Sequence, residues 1–342
     1  MSLKNLNVTT KIPKHFENNL KNKKINQIYK RFEKRLNISD NFIVAVSGGP
    51  DSLALAFLSK VYSIKKRLIA KFFIVDHKLR PESTQEAKRV QNILKKHSIS
   101  SKILTWVGKK PHKNIQSIAR KKRYELLFTE SDKLKINNVL LGHHQNDLFE
   151  NFIIRMIRGS GLKGLVSLDK LKKTNGKNLL RPLINEKKDN LILVSKKVFS
   201  TYINDPTNHD EKYLRIHVRK LIEEFEKKGL DKKKFITTIK NLKHSNNVVD
   251  YYVKKNLEKN TFFLKKEDKL FLKKEYFDQP FEIIFRSLSE SIKFVGKKYN
   301  FVRGKKLNKI ISNIENNRKY KQTIGGCIIE KVSQTIIISK EH

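Results

Sequence analysis

Phe42-Ile43-Val44-Ala45-Val46-Ser47-Gly48-Gly49-Pro50-Asp51-Ser52-Leu53-Ala54-Leu55 is the stretch on which the fold reading turns. Phe42 to Val46 is a short, wholly apolar run of the kind found in parallel strands buried on both faces. It stops abruptly at Ser47-Gly48-Gly49, and a helix opens whose early residues are Leu53, Ala54 and Leu55. A strand that passes through such a turn into a helix suits an anion. Glycines let the backbone approach phosphate oxygens, the Ser47 and Ser52 hydroxyls can donate, and the helix N-terminus offers free N–H groups and a favourable dipole. Asp51 would repel a bare phosphate, so it makes better sense beside a bound Mg²⁺ or as a cap. The bland alternative is an ordinary strand-to-helix turn. No Walker loop is present, because Gly-x-x-x-x-Gly-Lys-Ser/Thr does not occur.

Working outward, the same alternation continues. Leu20, Ile25, Ile28, Tyr29, Phe32 and Leu36 recur at helical spacing between lysines and predict a basic amphipathic helix ahead of the first strand. Leu68 to Val75 reads as a strand, Ser83 to His97 as a helix, Lys102 to Val107 as a strand and Ile115 to Leu134 as a long helix. Asn138 to Gly142 is a fourth strand, followed by a helix from Gln145 to Arg158. The fold class is therefore α/β, a doubly wound and mostly parallel sheet, whose ligands are expected at the carboxyl ends of the strands. Past Gly159-Ser160-Gly161 the alternation weakens. The expected division is an N-terminal nucleotide domain over 1–185, a lysine-rich helical extension over 186–260 and a small basic α+β domain over 261–342. That last part carries helices near Phe281 to Val295 and Lys305 to Asn316. A hairpin is expected from Tyr320 to Ser339, turning near Ser333, with the charged Lys265 to Lys274 region marking the boundary.

Composition narrows the partners. The 342 residues carry 75 Lys and Arg against 33 Asp and Glu, a formal charge of +42, with an isoelectric point near 10.1. Such a surface attracts polyanions and gives salt-dependent affinity for nucleic acid. Compositional bias explains many lysines but not the shortage of acidic residues to balance them. Cys327 is the single cysteine, which excludes an intrachain disulfide, a Cys-x-x-Cys zinc site and a cysteine-ligated iron–sulfur cluster within the monomer. No run approaches the ~18 apolar residues of a membrane span, and Met1 to Lys14 lacks the apolar core of a signal peptide. A cytoplasmic protein with no membrane partner is expected, and a homodimer is left open.

Three groups of polar residues fall near the strand ends or on the helices that follow. Asp147 and Glu150, at i and i+3, project from one helix face and could hold a cationic amino acid; the alternative is a solvated face paired with Arg155 or with lysines. Arg120 and Arg123 could clamp nucleotide phosphate as charge develops, Arg120 being preferred, or could belong to a solvated basic helix. His143 and His144 could contact nucleotide or orient a carboxylate, or be structural.

The hexapeptide Ser47 to Ser52 resembles the PP-loop of the N-type ATP pyrophosphatases. Taken with Val75-Asp76-His77-Lys78-Leu79-Arg80, Ala119-Arg120-Lys121-Lys122-Arg123-Tyr124, Gly142-His143-His144 and Arg158-Gly159-Ser160-Gly161-Leu162-Lys163-Gly164-Leu165, it resembles the tRNA-isoleucine lysidine synthetases. The likeness spans residues 40 to 220 and returns at Thr323-Ile324-Gly325-Gly326-Cys327. The resemblance implies ATP and Mg²⁺ as cofactors, with Ser47, Gly48, Gly49, Pro50, Asp51, Ser52, Asp76 and His77 around the nucleotide and Asp51 as the metal candidate. It implies Asp51, Arg120, Asp147 and Glu150 as catalytic residues, with Asp147 and Glu150 recognising free lysine. The implied reaction adenylates the wobble cytidine of an isoleucine tRNA with a CAU anticodon, after which lysine displaces AMP to give lysidine.

The chain departs from that family at two places. The usual pattern His-His-Ala-Asp-Asp-Gln-Ala-Glu-Thr is met here by His143-His144-Gln145-Asn146-Asp147-Leu148-Phe149-Glu150-Asn151, which keeps the acid pair but loses one Asp and the Gln. Ile216 stands where Asn usually follows Arg215. Asn204-Asp205-Pro206-Thr207-Asn208 resembles the family's Asp-Pro-Ser-Asn turn, with Arg215 and Arg219 beyond it as candidates for gripping RNA phosphate. The rivals are another PP-loop tRNA-modifying enzyme and a nonenzymatic RNA-binding protein on a degenerate nucleotide fold.

Overall fold

The computed structural model describes residues 11–108, 111, 114–203, 214–297, 304–316 and 319–341. The chain divides into two compact units, Met1–Leu230 and Asp231–His342. The helical stretch expected between 186 and 260 is shared between them.

The first unit opens with α1 (Lys14–Lys21) and α2 (Lys23–Leu36), separated by Asn22, whose side-chain oxygen accepts from Lys24 N and Ile25 N and starts the second helix. Ile25, Ile28, Tyr29, Phe32 and Leu36 are buried, one apolar stripe as their spacing predicts. The alternating elements then follow: β1 (Phe42–Ala45), α3 (Pro50–Lys66), β2 (Ala70–Asp76), α4 (Ser83–Lys96), β3 (Ser101–Thr105), α5 (Ile115–Lys133), β4 (Asn138–Leu140) and α6 (Gln145–Ile157). Next come α7 (Leu162–Leu165), β5 (Leu171–Thr174), β6 (Lys177–Leu180), α8 (Lys188–Phe199) and α9 (Leu214–Lys227).

These strands form one six-stranded sheet in the order β3-β2-β1-β4-β6-β5. All neighbours are parallel except β5 and β6. Phe42, Val44, Phe72, Leu140 and Leu180 enter the core with Leu53 to Leu58 of α3, while Ile43, Phe73, Val139 and Leu179 pack on the other side with Leu127 of α5. Burial on both faces explains why the strands read as continuous apolar runs. The chain leaves β1 toward β2 and β3 on one side and returns to β4 on the other. That reversal opens a crevice at the carboxyl ends of β1 and β4, where a doubly wound sheet takes its ligand. The β5–β6 hairpin was not anticipated, although Asn175-Gly176, both left-handed, is a strong short-range hairpin signal.

The second unit consists of α10 (Lys232–Asn260), β7 (Thr261–Leu264), β8 (Lys269–Leu272), a 3-10 turn at Lys274–Tyr276, α11 (Phe281–Gly296), α12 (Gly304–Asn316), β9 (Tyr320–Ile324), β10 (Cys327–Val332) and β11 (Thr335–Lys340). Its five strands are antiparallel in the order β7-β8-β11-β10-β9. Leu270, Leu272, Ile329, Ile336 and Ile338 form its core with Leu288 and Ile292 of α11 and Leu307 and Ile310 of α12. Asn256 of α10 donates to Tyr276 O and Ser287 Oγ, both at 3.2 Å. Two expectations are corrected here. The segment from Tyr320 onward is a three-stranded meander with a second turn at Gly325-Gly326, not a single hairpin. Lys265 to Lys274 is no boundary: it contains the β7–β8 turn and β8 itself, in which half-buried Lys269 and Phe271 alternate with buried Leu270 and Leu272.

Candidate functional site

The loop between β1 and α3 is organised by Ser52. Its Oγ accepts from Ser47 N (3.1 Å) and Gly48 N (3.0 Å) and donates to Gly49 O at 3.0 Å. That hydroxyl is spent on the turn, contrary to the expectation that it serves a ligand. Gly48 has φ +89°, and a Cβ there would lie 2.3 Å from Val90 Cγ2, so neither the conformation nor the space admits a side chain. Leu53 N closes the first helical hydrogen bond onto Gly49 O (3.0 Å). The Asp51 and Ser52 N–H groups therefore fall within the unpaired first turn, where an anion is favoured.

The second loop, after β4, comes close to the first: a Cβ on Gly142 would lie 3.3 Å from backbone atoms of Asp51 and Ser52. His144 caps α6, its Nδ1 accepting from Asn146 N at 3.2 Å while Asp147 Oδ2 accepts from His144 N at 2.8 Å. This network puts the imidazole proton on Nε2, which lies 3.5 Å from Asp51 Oδ2. Burial opposes protonation of His144, but Asp51 and Asp147 outweigh it and raise its pKa. Burial likewise works against ionised Asp147, and His144, His143 and Arg215 overcome it to hold the carboxyl below its usual range. Glu186 anchors this helix start from behind. Its carbonyl accepts from Gln145 N (3.0 Å), and its buried carboxylate takes Arg31 Nη2 at 2.8 Å and Arg35 Nη1 at 2.6 Å from α2.

Asp147 and Glu150 do lie on one face, but neither is free. Arg215 of α9 bonds Asp147 Oδ1 through Nη2 (2.9 Å) and Glu150 Oε2 through Nε, and Arg219 Nε reaches Glu150 Oε1 at 2.7 Å. The arginines expected on RNA phosphate and the acids expected on lysine are thus joined in one network. Asp76 is similarly engaged, accepting from Lys78 N (2.9 Å) and Thr84 Oγ1 (2.7 Å). Arg120 and Arg123 part company. Arg123 lies 3.3 Å from His77 Nε2, whereas Arg120 bonds Tyr124 OH at 3.2 Å and its charge acts on His143. Two departures from the family pattern have a local reason, since Leu148 and Ile216 are buried; Asn146 contributes only its backbone N–H to the cap, which does not explain its side chain. The Asn204 to Asn208 turn lies outside the described residues.

Among the described residues, four of the ten buried side-chain polar atoms without a hydrogen-bond partner lie at these strand ends: Asp51 Oδ1, His77 Nδ1, His143 Nδ1 and Arg181 Nε. Unsatisfied buried groups cost free energy, so their clustering marks a site built for something else. Arg181, one residue beyond β6, escaped the sequence reading; its only signal was a cation directly after an apolar strand. His77, Lys78, Trp106, Val107 and Gly108 line a cleft of about 200 Å³ beside it all at the ends of β2 and β3. The larger cavity, about 510 Å³, runs along α4 and Thr201 to Ile203 and holds none of the expected residues. Among the described residues no group of three or more His, Cys, Asp or Glu could hold a metal. Cys327 is buried in the second unit.

Burial and Arg123 push His77 down to about 4, against the pull of Asp76, and His143 is also driven far below the ordinary imidazole value, first by burial and then by Arg181, Arg120 and Arg215. Both rings are neutral in the folded chain but bind protons in the unfolded one below about pH 6.5. The stability these two rings contribute is therefore full above that value and falls as the pH drops toward the folded pKa, whereas His144, whose pKa is raised, acts with the opposite sign. At pH 5 the loss is roughly 2 kcal/mol for a fully shifted imidazole, less for partly open His77. Urea unfolding at pH 7.5 and pH 5.0 is expected to show a lower midpoint at pH 5.0, with the difference reduced in His77→Gln.

The PP-loop domain family matches residues 18–225. The tRNA(Ile)-lysidine synthase of Orientia tsutsugamushi is 34% identical over 87% of this chain and 69% of its own length. That of Wolbachia pipientis wMel is 32% identical over 87% and 70%, and that of Rickettsia felis 29% over 92% and 74%. Among solved structures, the U34-tRNA thiolase NcsA from Methanococcus maripaludis, with its [4Fe-4S] cluster, superposes with a TM-score of 0.54 at 19% identity, covering 65% of this chain and 78% of that one. That likeness concerns the fold. Among the described residues no helix is long and apolar enough to cross a membrane.

Proposed function

The chain belongs to the tRNA(Ile)-lysidine synthase family of PP-loop ATP-dependent ligases, and on that premise we propose that it attaches free lysine to C2 of the wobble cytidine in the CAU anticodon of an isoleucine tRNA. The observation that carries this reading is the approach of two loops at the β1/β4 crevice. One presents unpaired N–H groups at the start of α3, and the other opens α6 with Asp147 and Glu150 on its face.

In the proposed sequence the cytidine O2 attacks the α-phosphorus of ATP, an O2–P bond forms, and pyrophosphate leaves with the electrons of the broken P–O bond. The lysine amine then adds to C2, the C2–O2 bond breaks, and AMP departs with that electron pair while the amine loses its proton. Adenylation matters because AMP is a far better leaving group than a carbonyl-like oxygen. The α3 N-terminus stabilises negative charge on the phosphates, and the cleft beside His77 and Trp106 gives a flat ring somewhere to lie. The unpartnered Asp51 Oδ1 is the kind of hard oxygen that suits Mg²⁺, which would supply charge neutralisation between phosphate oxygens; Asp51 would be its protein ligand.

Lysine binding at Asp147 and Glu150 requires the network with Arg215 and Arg219 to open or to share. Two acids and two guanidiniums cancel, so no net negative charge remains for an ammonium while the arginines stay in place. Residues 231–342 carry 26 Lys and Arg against 12 Asp and Glu; this basic unit is proposed to hold tRNA, chiefly through phosphate. The setting is the cytoplasm. Omitting lysine gives a direct test: purified chain, Mg-ATP and unmodified tRNA should release pyrophosphate stoichiometrically as adenylated RNA accumulates. No release at all would favour the nonenzymatic RNA-binding reading, and release without RNA dependence would point to a different acceptor on the same fold.

A further inference from the structure

Arg181 follows β6 at the carboxyl edge of the sheet. The register sets Leu180 opposite Leu140 of β4, and Leu141 N donates to Leu180 O at 2.9 Å, so Arg181 stands level with the start of the loop that carries His143 and His144. Its side chain is 2% exposed. Nη1 donates to the Asp169 carbonyl at 2.7 Å, Nε has no partner, and among the described residues no carboxylate forms an ion pair with it. The Tyr124 hydroxyl is a second neutral partner and the Asp169 carboxylate attracts the guanidinium from beyond ion-pair distance, but a buried guanidinium held at hydrogen-bond range only by neutral oxygens is costly. Two buried acids near the crevice are, by contrast, matched by cations: Glu186 by Arg31 and Arg35, Glu150 by Arg215 and Arg219. Arg120, whose one described hydrogen bond is to a tyrosine hydroxyl, adds a second positive charge on the same side rather than a negative one.

We propose that Arg181 is a positioning residue, a fixed positive charge beneath the β4 and β6 strand ends that, together with Arg120, favours the phosphoryl group of the adenylated cytidine. The proposal rests on the ligase reading and deepens it. Arg181 acts through the field it sets at the crevice, because its own atoms are covered. A preorganised charge in a low-dielectric wall requires no reorganisation as negative charge accumulates on the phosphorus-bound oxygens. A neutral donor in its place could still satisfy the Asp169 carbonyl but would supply no field, and this separates the proposed role from a merely structural one.

The test compares Arg181→Lys with Arg181→Gln in the full chain, following tRNA-dependent pyrophosphate release at saturating and limiting ATP. Arg181→Gln is expected to lower kcat by roughly 10²–10³ with little change in KM for ATP, the size seen when one preorganised donor is lost, and Arg181→Lys to recover at least about tenfold of it. In Arg181→Ala, millimolar guanidinium is expected to restore rate, and urea, its neutral isostere, is not. Equal rates for the Lys and Gln variants, or equal rescue by urea, would overturn the role and leave Arg181 a packing residue. If the wild-type chain adenylates no tRNA, the ligase reading fails by itself. Arg181 is then judged on AMP binding, expected to weaken about tenfold in Arg181→Gln and overturned if unchanged.

Discussion

Asp51→Ala should lose tRNA-dependent pyrophosphate release by roughly three orders of magnitude while leaving the chain folded. Asp51 sits in the first turn of α3, faces His144 Nε2 at 3.5 Å and keeps one carboxylate oxygen without a partner. Removing it eliminates an unpartnered acidic oxygen at the start of α3 and deprives His144 of a nearby carboxylate. A loss of preorganised electrostatics of this kind is worth about 10²–10³, and because both contacts belong to one side chain and act as a unit, the upper end of that range is expected. Stability should change little, because the turn itself is tied by Ser52, Gly48 and Gly49. Pyrophosphate release within tenfold of wild type would remove Asp51 from the chemistry. A lowered Tm accompanying the loss would instead point to a broken loop.

Glu150→Gln has the largest expected effect on both stability and lysine use. Glu150 is 3% exposed and accepts from Arg215 and Arg219, whose side chains remain 40% and 34% exposed. Neutralising it leaves two guanidiniums facing one amide. Breaking a fully buried pair costs about 3–5 kcal/mol; with partners this open to water, about 2–3 kcal/mol is expected, read as a fall in the urea midpoint. Because Arg215 also pairs with Asp147, the first turn of α6 loosens at the same time. Adenylation, assayed without lysine, is expected to persist in the folded fraction, while the lysine concentration needed for half-maximal ligation rises at least tenfold. An unchanged lysine dependence would take Glu150 out of the amino-acid site and leave it holding α9 to α6.

The first four strands of the sheet were legible because each is built on an apolar stretch, and Ser47 to Ser52 sits between strand and helix where periodicity changes. The hairpin at Asn175-Gly176 was passed over because Leu171 to Thr174 is exposed and lysine-rich, so it carries no apolar alternation to draw notice. The β7–β8 pair was hidden for the same reason: Lys265 to Lys274 reads as a charge run until Leu270 and Leu272 are seen to share one buried face. At the site, sequence spacing placed Asp147 and Glu150 on one face but could not reveal that Arg215 and Arg219, some 65 residues later, lie against them. Ser52 and Asp76 were read as ligand groups, whereas hydrogen bonds to their own turns occupy both side chains. Arg181 was missed because a cation after a strand has no periodicity, and its meaning lies in the lack of an ion-pair partner among the described residues.

Incubating the full chain with Mg-ATP, radiolabelled lysine and an unmodified isoleucine tRNA bearing CAU tests the central claim most directly. The readout is acid-precipitable label that survives mild base, which removes any aminoacyl ester. Base-stable label that requires ATP and disappears when the wobble cytidine is replaced is the expected result. ATP cleaved in the presence of tRNA with no base-stable label would contradict lysine as the nucleophile.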